Sequence, residues 1–234
     1  MNRLSVFSLS LCLLVGFLVG IICPTPWSGP KNPVQAASTG ASVSTASSKN
    51  NNDGSSSSAA APALDPTDNA LLLDSALLAL RALKEQDYNL LSTFVHPTKG
   101  VTFTPYSTVN FETDLTFTAN QIRSLTEDKN VYTWGSVDGH GKLIELTMAQ
   151  YMEQYVFHTD YTQAPEIGID QIMISGNALD NLAEAYPDCR FVDFTFPSFS
   201  PDSQGLDWCS LKLVFEAGES KWSLVGIIHG QWTV

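Results

Sequence analysis

Apolar and polar positions divide the chain into three stretches with different patterns. Leu4 to Ile22 carries no charge and is rich in Leu, Val, Ile and Phe, whereas 38–63 consists mainly of Ser, Ala, Asn, Thr and Gly. From Asp65 onward, apolar residues recur with the periods of helices and strands. The pattern predicts an export segment at 1–36, a disordered linker at 37–64 and a globular domain at 65–234.

The first stretch has three alternative fates. Arg3 followed by the apolar run is typical of a signal peptide, and the small or medium residues Val34 and Ala36 fit cleavage after Ala36 or Ala37. Uncleaved, the run is long enough to anchor the chain in a membrane. Lipidation at Cys23 is the third alternative, although Ile22 departs from the small residue that a lipobox requires.

Helix signals open the globular domain. Asp65-Pro66 is a helix start, and Leu residues then follow at helical spacing. Asp87 predicts the start of a second, short helix, and Thr118 and Thr147 are further candidate caps. The first part of the domain is therefore predicted to be mainly helical, with extended segments between the helices.

Alternating apolar positions predict strands through the rest of the domain. The segments with this pattern are 100–106, 115–118, 131–137, 142–146, 167–174, 190–196, 208–216 and 221–234. The last three are long and separated by turn-rich breaks, which favours an antiparallel meander. Helices first and strands last predict an α+β fold.

The net charge of −12 narrows the choice of partners. An acidic surface repels phosphate backbones and anionic lipid headgroups. We therefore expect no nucleic-acid partner, and membrane contact only through the N-terminal segment.

Two segments resemble nuclear-transport-factor-2-like (NTF2-like) domains, which have a cystatin-like α+β cone. Ala79 to Leu91 resembles the helix, short acidic loop and second helix that open such domains. Lys221 to Ile228 resembles their final strand. The blocks 95–106, 132–135 and 205–208 are similar to exported proteins of Gram-positive bacteria.

The resemblance implies N-terminal helices packed on a curved antiparallel sheet that forms a cone with a pocket. NTF2-like domains include isomerases, dehydratases and non-catalytic binding domains, so the fold does not fix a function. Enzymatic members usually carry an Asp/His pair inside the cone, and no such motif matches this chain residue by residue.

His229 is the main candidate for acid–base chemistry. It follows the apolar run that ends at Ile228, and we consider a pair with Asp193 or Asp207 in the sheet. The alternative is a histidine that only fills the core. The histidines lack metal-ligand spacing, so no metal site is predicted.

Cys189 and Cys209 could form a disulfide, since extracytoplasmic cysteines often pair. The alternative is two thiols in neighbouring strands. A redox pair is not expected, because the spacing is not Cys-x-x-Cys.

Aromatic side chains supply candidates for a ligand pocket that would hold a sugar or an apolar molecule: Tyr106, Trp134, Trp208 and Trp222. Aromatic residues on strands also commonly fill the core.

No motif for phosphate, dinucleotide, nucleophilic or zinc-protease chemistry appears in the sequence. We therefore expect an extracytoplasmic, secreted or membrane-anchored domain that binds a small molecule or an envelope protein without a cofactor. A small hydrolase or isomerase using His229, and a structural protein of the cell envelope, are the alternatives.

Overall fold

The computed structural model describes residues 66–233, and it describes the burial and contacts of side chains from Asp68 onward. The helices are α1 (Pro66–Glu85), α2 (Tyr88–Phe94), α3 (Ala119–Arg123), α4 (Met148–Tyr151), which continues as a π-helical turn (Met152–Val156), and α5 (Leu182–Ala185). The strands are β1 (Val101–Thr104), β2 (Leu115–Phe117), β3 (Val131–Ser136), β4 (Leu143–Thr147), β5 (Glu166–Ile169), β6 (Cys189–Phe196), β7 (Cys209–Ala217) and β8 (Trp222–Gln231).

The export segment, the cleavage positions, Cys23 and the linker lie outside the described residues. Within 66–233, no helix is both long enough and apolar enough to cross a membrane.

The two N-terminal helices form where the sequence predicts them. Leu72, Leu80 and Leu83 lie on the buried face of α1. Gln86, with a φ of 53°, ends this helix. The Asp87 carboxylate then accepts the amide of Leu90 at 2.9 Å and caps α2.

The main sheet has six strands in the order β2-β1-β8-β7-β6-β5, and β3 and β4 form a separate hairpin. Neighbours are antiparallel except β1 and β8, which are parallel. The prediction of a purely antiparallel sheet was therefore wrong for this pair. The chain leaving α2 already pairs Val95 with Leu224 in parallel, so β1 continues along β8 in that direction.

Both faces of β7 and β8 are buried. Leu211, Leu213 and Phe215 face the main core, to which the helices contribute. Val214 and Ile228 face a smaller apolar cluster on the other side. That side is covered by residues 171–188, which we call the strap. Its Tyr186 hydroxyl lies where a Cβ on Gly226 would be only 2.9 Å away.

Strand β5 is shorter than the predicted 167–174. Asp170 adopts a φ of 50°, which turns the chain out of the sheet. Its carboxylate accepts the Phe191 amide at 3.0 Å and the Arg190 guanidinium at 2.7 Å. The residues after Asp170 therefore enter the strap instead of extending the strand.

The predicted disulfide between Cys189 and Cys209 is wrong. Both thiols are free. In the β6–β7 ladder Cys189 lies opposite Glu216, and Cys209 lies opposite Phe196 at the other end. The two cysteines are separated by most of the strand length, far beyond the Cα separation of about 4.4–6.8 Å that a disulfide requires.

Candidate functional site

A groove of about 610 Å³ lies between the tip of the β3–β4 hairpin and two loops. We call this cavity the groove. Its lining residues are Pro105, Tyr106, Thr108, Asn110, Thr113, Asp114, Trp134–Gly139, Gly141 and Asn177–Leu179. Its volume falls within the range of about 300–1,000 Å³ that is typical of small-molecule sites.

A bulge at Gly135 shapes the hairpin wall of the groove. The β3–β4 register shifts between Thr133 and Ser136, and Gly135 has a φ of 109°. A side chain rarely adopts this φ, so glycine allows the bend. Gly135 itself lines the groove, and its Cβ position would lie 3.9 Å from Pro105 Cγ.

The second wall is the loop from Pro105 to Asp114. Asp114 Oδ2 accepts the Thr104 hydroxyl at 2.7 Å and the Asn110 amide at 2.9 Å. Burial raises the pKa of the Asp114 carboxyl above its usual value. Oδ1 has no hydrogen-bond partner among the described residues, which leaves one acceptor for a ligand.

The third wall comes from the strap. The side chain of Asn181 accepts the Val109 amide at 2.8 Å and donates to the Val109 carbonyl at 3.0 Å. The Thr108 hydroxyl donates to the Leu179 carbonyl at 2.5 Å. Asn177 accepts the Thr233 hydroxyl at 2.9 Å. The contacts of Asn181 and Leu179 join the strap wall to the loop wall, and that of Asn177 joins the strap to the C-terminal segment.

Two of the predicted pocket aromatics meet at the groove. Tyr106 is half-buried, with its ring 6.1 Å from Tyr155. Trp134 is fully buried and stacks on Tyr151 at 3.7 Å, and its indole N–H donates to the Leu146 carbonyl at 3.0 Å. Tyr106 therefore offers ring surface, whereas Trp134 supports the site from the core.

Trp208 and Trp222 do not reach the groove. Trp208 is buried against Gly176 and Gly230. Trp222 lies beneath the guanidinium of Arg190, 5.7 Å from the ring centroid. These two residues therefore lie outside the groove that Tyr106 and Trp134 line.

The groove is acidic. The charged residues in its lining are Asp114 and Asp138, and no Lys or Arg lines it within 66–233. Asn110, Asn177, Thr108 and Thr113 add neutral hydrogen-bonding groups. An anionic ligand would meet repulsion there, whereas neutral and cationic polar ligands would not.

His229 is buried in the main core beside the groove. Its Nδ1–H donates to the Pro105 carbonyl at 3.0 Å, while Nε2 is buried without a partner among the described residues. The rings of His158 and Tyr155 lie 5.1 Å and 5.7 Å from its ring. Burial lowers the pKa of His229 to about 3, so the imidazole is neutral.

The predicted acid–base pair does not form. Asp193 lies opposite Lys212, whereas His229 lies opposite Leu211, so the two side chains point to opposite faces of the sheet. Asp207 instead accepts the Ser198 hydroxyl and the Ser200 amide, each at 2.8 Å.

Sequence reasoning missed the polar residues of the groove. Asn110 and Asp114 form a local turn, which a turn-rich segment signals. Their approach to Asn177 joins positions far apart in the sequence, and no local pattern reveals it. Within the described part of the chain, no group of three or more His, Cys, Asp or Glu side chains could hold a metal ion.

Solved structures similar to this chain include NTF2-like proteins. Aln2 from a Streptomyces species is 7% identical, over 72% of this chain and 93% of that one, with a TM-score of 0.33. An NTF2-like protein of unknown function from Shewanella baltica is 10% identical, over 70% and 92%, with a TM-score of 0.31. Another from Shewanella oneidensis is 9% identical, over 71% and 99%, with a TM-score of 0.28. No protein-family model matches the chain, and no curated protein matches it.

Proposed function

We propose that this chain is an exported protein whose α+β domain binds a small polar molecule in the groove, outside the cytoplasm. The observation that carries the proposal is the groove itself, which has the volume of a ligand site and walls that are already fixed by hydrogen bonds. Walls held in place before binding reduce the ordering cost of association.

The lining favours a neutral or cationic molecule rich in hydroxyl or amine groups, such as a sugar or amino sugar. Asp114 Oδ1 and the Asp138 carboxylate can accept hydrogen bonds from such groups. The amides of Asn110 and Asn177 supply donors as well as acceptors. The ring of Tyr106 can cover an apolar face of the ligand.

A binding role agrees better with the geometry than catalysis does. His229 has no carboxylate at its ring, and its Nε2 is enclosed in the core. The aromatic residues that fill the core would also suit a structural envelope protein. A structural protein would have no need of an acidic groove. A measurement of ligand binding therefore distinguishes a binding protein from a structural one.

Export is supported by the sequence of the first 36 residues. The charge at Arg3 and the apolar run from Leu4 to Ile22 have the order of a signal peptide or an N-terminal anchor. The two helices followed by a strand-rich half support an NTF2-like domain.

Calorimetric titration tests the choice of ligand. We expect the full chain to bind glucosamine and glucose, and to bind glucuronate at least about tenfold more weakly, because the carboxylate would face Asp114 and Asp138. Asp114→Asn and Asp138→Asn remove a negative charge but keep an acceptor oxygen. Both variants should therefore reduce the difference in affinity between glucosamine and glucuronate.

Asp202→Asn is the matched control, because Asp202 is an exposed acid outside the groove lining. It should leave all three affinities unchanged. Absence of binding by every probe, or equal binding by the wild type and both groove variants, would contradict the proposal.

A further inference from the structure

Lys212 is a charged residue in the centre of the sheet. It lies in β7 between Leu211 and Leu213, and its side chain is fully inaccessible to solvent. Transfer of an unpaired ammonium into such an environment is strongly unfavourable. Nζ therefore needs a hydrogen-bonding or charged partner inside the fold.

The amine of Lys212 is held against one carboxyl group of the strap. Nζ lies 3.2 Å from Asp180 Oδ2 and donates to Ser210 Oγ at 3.4 Å. Asp180 Oδ1 accepts the Leu182 amide at 3.2 Å. The carboxyl group is thus oriented by one oxygen while the other faces the amine.

A second carboxyl group lies on the same face of the sheet, but among the described residues it forms no ion pair with Lys212. Asp193 is directly opposite Lys212 in the β6–β7 ladder and is fully buried on the same face. Its oxygens accept the Thr195 hydroxyl and the Met173 amide, each at 3.0 Å. Burial raises the pKa of the Asp193 carboxyl, which favours its protonated form.

We propose that Lys212 and Asp180 form an intramolecular isopeptide bond. The geometry resembles a reactant complex, since amine and carboxyl are in contact, enclosed and oriented. The bond would join the strap, which forms one wall of the groove, to a central strand of the sheet.

The reaction balances without an oxidant or a cofactor. Proton transfer from the Lys212 ammonium to Asp180 Oδ2 gives a neutral amine and a carboxylic acid. The lone pair of Nζ attacks Asp180 Cγ, and the Leu182 N–H stabilises the negative charge that develops on Oδ1. A proton passes from Nζ to the Oδ2 hydroxyl, with which Nζ is in contact. The Cγ–Oδ2 bond then breaks, so one water leaves and an amide remains.

Mass spectrometry tests the bond. The denatured, reduced full chain should be lighter by one water than its own sequence, after allowance for its N-terminus. A tryptic digest should contain a branched peptide that joins Asp180 to Lys212, and trypsin should not cleave after Lys212. An intact mass without the loss of water, together with cleavage after Lys212, would overturn the proposal.

Variants separate reaction from folding. Asp180→Ala and Lys212→Arg should retain the full mass and lose the branched peptide. Asp202→Asn, which changes an exposed acid elsewhere, should lose one water as the wild type does. If a variant fails to fold, the wild-type digest still decides whether the bond exists.

Discussion

His229 has one satisfied ring nitrogen and one that is buried without a partner among the described residues. Donation from Nδ1 to the Pro105 carbonyl fixes the tautomer and leaves Nε2 with its lone pair. Protonation would place a charge in the core beside His158, whose pKa is also lowered by desolvation. The fold therefore requires the neutral imidazole.

This requirement predicts a loss of stability in acid. The pKa of His229 is about 3 in the folded chain and 6.5 in its unperturbed state, so below pH 6.5 only the unfolded chain takes up the proton. Stability is fully present above that pH and falls by up to about 1.4 kcal/mol per pH unit as the pH decreases. Urea unfolding between about pH 6.5 and 5 measures the slope.

His229→Asn should flatten this slope, because its amide can still donate to Pro105 but does not titrate. His140→Gln is the control, since His140 is exposed in the β3–β4 turn. Asp114 and Asp193 have raised pKa values in the folded chain, so protonation of these carboxyl groups increases the free energy of unfolding as the pH falls toward about 4. Their effect is opposite in sign to that of His229. An unchanged slope in His229→Asn would contradict the account of this residue.

The sequence indicated that His229 could lie in the core, but it did not indicate that Pro105 is its hydrogen-bond partner. Asp193 and His229 were candidates for a pair because both lie in the strand-rich half. A register offset of one position places them on opposite faces, and register depends on the whole ladder. Lys212 is a related case, because its contact with Asp180 depends on how the strap crosses the sheet.

At the scale of elements, local signals were the most informative. Thr118 and Thr147 cap α3 and α4, as the sequence predicted, and each forms a reciprocal capping box. The long strands β6, β7 and β8 also form where alternation predicted them. The parallel pairing of β1 with β8 joins segments far apart in the chain, and no local pattern indicates it.

The hairpin bulge offers a test at this scale. Gly135→Ala should destabilise the fold by about 1–3 kcal/mol and weaken ligand binding in the groove, because a side chain is strained at a φ of 109°. Thermal unfolding and calorimetric titration of the same sample measure the two effects.

Gly141→Asn is the matched control in the same hairpin. Gly141 has a φ of 64°, which Asn tolerates, and open space surrounds its Cβ position. Stability should change little in this variant. Equal effects of the two substitutions would show that the bulge does not position the groove wall.

For the molecule as a whole, the account predicts that the protein is located outside the cytoplasm. Fractionation of the producing cells should place the domain outside the cytoplasm, and mass analysis should find a mature N-terminus after Ala36 or Ala37, or an intact anchor. Lipidation at Cys23 would appear as an added mass on a chain that begins there. Intact chain confined to the cytoplasm would contradict export.

The central claim is that the groove binds a small polar molecule. The most direct measurement follows backbone amide shifts by nuclear magnetic resonance during a glucosamine titration. The account predicts saturable shifts clustered at Tyr106, Gly135–Asp138 and Asn177–Leu179, all of which line the groove. Saturable shifts confined to other surfaces, or no saturable shift at millimolar ligand, would contradict it.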